Sequence, residues 1–196
     1  YSPERMNPGD KVHSIDKITK VVSGDCNKTK LTLKKIYGKI NSGKIFMAKN
    51  IKTAEAAKVI ENTQRDINVA FINEITKLFK KINISIFDVL KTAETKWNFL
   101  NFQPGFVGGH CIGVDPYYLS YKSKSLGLKS KMILTARKLN NYMPSYIYEK
   151  IKENNTTATA AFFAEYMIGE GEGHGWTLGM SYSPTSATIG ARSRTD

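Results

Sequence analysis

"TAEAAKVIENTQRDINVAFINEITKLFKK", residues 53–81, is the stretch that decides the fold. Ile60, Ile67, Phe71, Ile75 and Leu78 recur at spacings of three, four and seven, the pattern of one apolar face on an α-helix. Thr53 stands where a cap belongs and Glu55 falls in the first turn, as a helix start favours. The spacing predicts one helix over 53–81, well beyond the ~10–14 residues usual in globular proteins. At about 100° per residue its opposite face gathers Lys58, Asn62 and Arg65.

Before this helix the chain reads as α/β. "ITKVVSG" (18–24) is a short buried strand ended by Gly24, "KLTLKKIYGKI" (30–40) has helical spacing, and "IFMA" (45–48) is a second strand. Strand, helix, strand is the rhythm of a parallel unit. After the long helix, "SIFDVLKTAE" (85–94) predicts a shorter one. Asp115-Pro116 reads as a cap and first turn for a helix to Ser125, ended by Gly127. "KMILTARKLNNYMPSYIYEKIKE" (131–153) predicts another, interrupted or kinked at Pro144. From about residue 155 there is no lysine, 6 of the 15 glycines occur, and neither strand nor helix periodicity survives beyond "AAFFAEYMI".

Composition bounds the function. No run of eighteen apolar residues occurs, and "YSPERMNPGD" lacks the layout of a signal peptide, so a cytoplasmic setting without a membrane span is expected. Cys26 and Cys111 are too few for a disulfide scaffold. The net charge of +12 invites a nucleic-acid reading. Its 27 basic residues within 1–154 are spread over every segment instead of forming one stripe, and a phosphate-bearing small molecule meets the same electrostatics. The expected partner is therefore not nucleic acid. His13, Cys26, His110, Cys111 and His174 show neither CxxC nor HxxxH spacing, so no metal is expected.

The chemistry concentrates in "GFVGGHCIGVDPYYL" (105–119). A thiol becomes nucleophilic beside a positive group, exposed backbone N–H groups or a helix N-terminus. Gly108-Gly109 permits close approach of a ligand to the backbone, and the helix from Pro116 starts just beyond Cys111. The plainer alternative is a cysteine filling a core gap. Asp115 either caps the helix or orients a water near the thiol. Lys58 and Asn62, one turn apart, are either a solvated face or a pair of donors for a developing oxyanion.

Four segments in order, "SPERMNPGD" (2–10), "AKNIKTAEAAKVIENTQRDINVAFINE" (48–74), "FQPGFVGGHCIGVDPYYL" (102–119) and "ARKLNNYMP" (136–144), resemble the UDP-glucose/GDP-mannose dehydrogenase family. Within it, the branch oxidising UDP-N-acetylhexosamines to uronic acids for polysaccharide synthesis is most similar. The resemblance implies a mainly α chain with a small α/β N-terminal part. Residues 1–50 would be the end of an NAD-binding Rossmann-type domain, 51–153 a helical dimerisation domain built on the long helix, and 154–196 a tail of unrelated composition, non-native or disordered.

The same resemblance implies NAD as cofactor, a UDP-sugar as substrate and a homodimer through helix 53–81. Cys111 would trap the aldehyde as a thiohemiacetal and then a thioester. Lys58 and Asn62 would hold the oxyanion, Asp115 would assist the water or steer the lysine, and Glu4 would act as base in hydrolysis. Arg5, Gly105, Gly108, Gly109 and Arg137 would serve the sugar site. One departure is visible: the family loop commonly reads Pro-Gly-Pro-Gly, whereas Phe106-Val107 follow Pro104-Gly105 here. No glycine-rich dinucleotide fingerprint appears in the sequence, so the isolated chain is expected to be an inactive central fragment. The competing expectation is a non-catalytic helical homodimerisation module.

Overall fold

Residues 51–81 form one uninterrupted helix of 31 residues in the computed structural model, which describes residues 1–6, 12–41, 44–154, 177–183 and 186–192. Around it the order is β1 (Lys20–Val22), α1 (Asn27–Tyr37), β2 (Ile45–Met47), α2 (Ile51–Lys81), α3 (Ile86–Ala93), α4 (Asp115–Ser125), α5 (Lys131–Asn154), β3 (Thr177–Ser183) and β4 (Ser186–Arg192). The described chain is thus mostly helical, with a small parallel strand pair near its start. It divides into two units, Tyr1–Glu61 and Asn62–Asp196, and α2 supplies residues to both.

In the first unit β1 and β2 pair in parallel, Lys20 opposite Ile45 and Val22 opposite Met47, with α1 as the connection between them. Parallel strands need such a crossover, which explains the alternation read from the sequence. Val22, Ser23 and Ala48 are buried along this pair. The start of α2 differs from expectation: its cap is Asn50, not Thr53. The Asn50 Oδ1 accepts from the Thr53 N–H at 2.8 Å and the Thr53 hydroxyl at 2.9 Å, satisfying donors that a helix start leaves open.

In the second unit Ile72, Ile86 and Leu90 form a buried apolar cluster, joined by the partly buried Ile75, Phe79, Phe99 and Phe102. The Ser85 hydroxyl accepts from the Asp88 N–H and fixes where α3 begins. Ile60, Phe71 and Leu78 of the apolar stripe are more than half exposed, whereas Thr63, Asp66, Ala70 and Asn73 are buried. Counting only apolar side chains missed this face of small and polar residues, in which Asp66 and Asn73 are hydrogen-bonded. Pro144 does not interrupt α5, which runs from Lys131 to Asn154 through it.

Past residue 155, where no regular element was expected, β3 and β4 pair antiparallel. Their alternation is short but present: Leu178, Met180 and Tyr182 are register partners of Ala191, Ile189 and Ala187. A period of two shared by paired strands is the sheet pattern. Among the described residues no helix is long and apolar enough to cross a membrane.

Candidate active site

The residues singled out from the sequence fall in both units. Glu4, Arg5 and Lys58 lie in the first; Asn62, Gly105, Gly108, Gly109, Cys111, Asp115 and Arg137 lie in the second.

In the first unit the Glu4 Oε1 accepts from the backbone N–H groups of Arg5 at 2.7 Å and Met6 at 2.8 Å. Its Oε2 lies 3.6 Å from the Lys20 ammonium. Lys20 is only 6% exposed; it also donates to the Pro3 carbonyl at 3.2 Å and sits over the Tyr37 ring. Partial burial alone would raise the Glu4 pKa, but the Met6 and Arg5 amides and Lys20 together hold it below its ordinary 4.5. A carboxylate so stabilised is a weak proton acceptor near neutrality and better suited to orienting a water.

A depressed carboxylate pKa contributes stability that is complete above the ordinary glutamate value and is lost as pH falls through the folded value. Carboxyl NMR titration should therefore place the Glu4 midpoint below 4.5, and a midpoint at or above it would contradict these contacts. Arg5 is already engaged: Nε and NH2 meet the two Glu61 oxygens at 3.2 and 2.9 Å, and NH1 donates to the Thr19 carbonyl. This fork-to-carboxylate pairing orients the guanidinium and uses three of its five donors. Lys58, further along α2, is half-buried.

In the second unit the loop before α4 carries an exposed, free Cys111. The Cys111 carbonyl accepts from the N–H groups of Val114 at 3.1 Å and Asp115 at 2.9 Å, folding the chain into the first turn of α4. Gly109 has φ +81° with open space around it, and Gly108 is open as well. A side chain at 109 would be strained by the left-handed backbone. A Cβ at Gly113 would meet the Gly109 carbonyl at 3.4 Å and the Arg137 NH2 at 4.0 Å. The thiol is not the packed core cysteine of the plainer alternative.

Asp115 is not the cap of α4. Val114 holds that position, without a side-chain hydrogen bond, and the Asp115 Oδ2 accepts from the Asn62 Nδ2 at 2.6 Å. The carboxylate thereby fixes which end of the Asn62 amide is the donor, leaving its second N–H available. Asp115 in the first turn of α4 is also favourably placed with respect to the helix dipole.

Beneath this lies a buried polar network that sequence periodicity did not signal. Arg137, 4% exposed, donates through NH1 to the Asp66 Oδ1 at 2.6 Å, and Asp66 has no exposed surface. Arg137 NH2 donates to Asn141, whose Nδ2 reaches the Tyr117 hydroxyl at 3.1 Å, and the guanidinium lies 5.8 Å from the Tyr117 ring centre. Asn140 donates to the Asp66 Oδ1 at 2.8 Å and accepts from Asn73 at 3.0 Å. Asn73 grips Gly105 by both backbone groups, at 2.8 Å each. The available signal was Thr63, Asp66, Ala70 and Asn73 at spacings of three and four, legible only if polar residues count as core.

Residues 52–142 match the UDP-glucose/GDP-mannose dehydrogenase family, central domain. Over 151 residues the chain is 52% identical to protein CapL of Staphylococcus aureus and 50% identical to a UDP-N-acetyl-D-glucosamine 6-dehydrogenase of Salmonella typhi, in each case 77% of this chain and 36% of the relative. It is also similar to the solved UDP-N-acetyl-mannosamine dehydrogenase Cap5O from Staphylococcus aureus, with TM-score 0.65 and 33% identity over 78% of this chain and 34% of that one. A UDP-D-ManNAc dehydrogenase from Pyrococcus horikoshii gives TM-score 0.68 and 28% identity, covering 79% and 37%. The chain spans about a third of the length of these relatives.

Proposed function

Because the chain belongs to the UDP-glucose/GDP-mannose dehydrogenase family through residues 52–142, we propose that it is the central part of an NAD-dependent enzyme oxidising the C6 alcohol of a UDP-N-acetylhexosamine to the carboxylate, for polysaccharide synthesis. The observation that carries this reading is an exposed Cys111 thiol beside two open glycines, with an Asn62–Asp115 pair in the same unit.

When the intermediate aldehyde forms, the Cys111 sulfur adds to its carbon; a C–S bond forms and the carbonyl electron pair moves to oxygen. The free N–H of Asn62, in the same unit as Cys111, stabilises that oxyanion, and the family resemblance implies Lys58 as a second donor. NAD would supply the oxidising power, accepting a hydride from C6 in each of the two oxidations. The resulting thioester is opened by water, the step in which the family resemblance implies a part for Glu4; the C–S bond breaks and the thiolate leaves. The strand, helix and strand at 20–47 carry no glycine-rich turn that would cradle a pyrophosphate. These residues alone do not fit the dinucleotide, and the 196-residue chain is expected to be inactive by itself.

The test is a chimera in which residues 1–153 replace the matching stretch of the Salmonella typhi relative. With UDP-N-acetyl-D-glucosamine it should reduce two NAD per carboxylate formed. A folded chimera that binds both ligands but forms no uronic acid would sink the reading. The second reading, a non-catalytic homodimerisation module, is favoured by the exposure of Ile60, Phe71 and Leu78 on α2. An α2-mediated homodimer belongs to both readings, so only turnover separates them.

A further inference from the structure

We propose that Asn73 is a positioning residue for the Cys111 loop, its orientation fixed by the buried chain of Asn140, Asp66 and Arg137. The inference rests on the reading that this loop is the reaction site, and it gives a role to Asn73, Asn140 and Asp66, which that reading leaves unassigned.

Gly105 lies in irregular backbone, where an N–H and a C=O have no ladder or helix partner and must be satisfied otherwise. Asn73, with no exposed surface, does this as a neighbouring strand would: its Oδ1 accepts from the Gly105 N–H, and its Nδ2 donates to the Gly105 carbonyl, both at 2.8 Å. A side-chain amide could present its ends the other way round, and what forbids this lies two residues further in. Asp66 carries only acceptors as a carboxylate, so Asn140 must turn Nδ2 towards it. The Asn140 Oδ1 then faces Asn73 and takes the second Nδ2 hydrogen at 3.0 Å. That leaves the Asn73 Oδ1 with one direction, towards the Gly105 N–H.

Arg137 donates to the same Asp66 oxygen, Oδ1, at 2.6 Å and lies against Gly113 and Tyr117, just after Cys111. The segment 105–117 is therefore gripped at both ends by one donor-to-acceptor series whose polarity starts at the Asp66 charge. Asp66 Oδ2 and Arg137 Nε have no protein partner, but the Asn73 and Asn140 amides are each held in a single orientation, and that orientation specifies the local conformation.

The test uses the whole chain with Cys26→Ser, so that Cys111 is the remaining thiol. Asn73→Ala removes the grip, and Asn73→Asp keeps the shape and the acceptor while removing both donors; the second serves if the first does not fold. Hydrogen exchange at the Gly105 amide should accelerate by about tenfold or more in Asn73→Ala, while amides in the middle of α2 keep their protection. The pH profile of Cys111 alkylation by iodoacetamide should change with it, by about threefold in rate at neutral pH. Unchanged Gly105 exchange, an unchanged thiol profile in a folded variant, or equal acceleration at every amide would each overturn the proposal. No substrate or cofactor enters this measurement, so its failure is distinct from a failure of the dehydrogenase reading, which the chimera's turnover decides.

Discussion

Replacing Arg137 by leucine is expected to destabilise the second unit by about 3–5 kcal/mol, the loss that follows when one partner of a buried ion pair is removed. Both side chains are withdrawn from water, with 5% of Arg137 and none of Asp66 exposed. Without the guanidinium, the Asp66 carboxylate keeps only the single Asn140 Nδ2 donor on Oδ1 and carries an uncompensated buried charge. The Asp66 Oδ2 already has no protein donor, so nothing nearby takes over.

Urea unfolding followed by circular dichroism measures this loss. Arg137→Lys keeps the charge but loses the planar fork that reaches both Asp66 and Asn141, and should fall between wild type and leucine. Converting both Asp66 and Arg137 to leucine should recover part of the loss, because no lone charge is then left inside. A change for Arg137→Leu within about 0.5 kcal/mol, typical of a surface position, would mean that the pair is not formed in solution. Any loss of turnover on changing Arg137 must therefore be corrected for unfolding before it is read as lost sugar binding.

The second large effect is catalytic. In the chimera described above, Cys111→Ser should lower carboxylate formation by on the order of 10³-fold or more, the scale of losses when a covalent nucleophile is removed. The first oxidation needs no sulfur, so aldehyde or its hydrate should accumulate. Asn62→Ala should resemble it more weakly, because one oxyanion donor is worth roughly 10²–10³-fold in other enzymes. Asp115→Asn tests a different point: it preserves size but no longer dictates which end of the Asn62 amide faces it. Uronic acid made at the wild-type rate by Cys111→Ser would exclude the covalent route while leaving the family assignment intact.

The helices were legible because each has a local signal that its packing does not contradict. Ser85 before an apolar stripe marks α3, and Asp115-Pro116 marks the start of α4 to within a residue. The parallel unit was legible from alternation alone, since short β-rich runs flank a helical period. The burial of α2 was not. Apolar periodicity pointed to Ile60, Phe71 and Leu78, yet these stay exposed in the single chain, and the interior face holds Thr63, Asp66 and Asn73.

A polar residue becomes core only when its partner arrives from elsewhere in the chain. For Asn73 that partner is Gly105, 32 positions away; for Asp66 it is Arg137, 71 positions away. Sequence spacing carries no trace of either. The loop around Cys111 was legible in its chemistry but not in its wiring. Asp115 looked like a cap because Asp before Pro usually is one, and it instead binds Asn62.

The central claim is that the Cys111 sulfur holds the sugar carbon between the two oxidations. The direct measurement is the mass of the Cys111 peptide after rapid acid quenching of the chimera turning over UDP-N-acetyl-D-glucosamine with NAD. A peptide heavier by the sugar-nucleotide acyl group, absent in Cys111→Ser, is the expected result. Steady uronic acid formation with Cys111 unmodified at every quench time would contradict it.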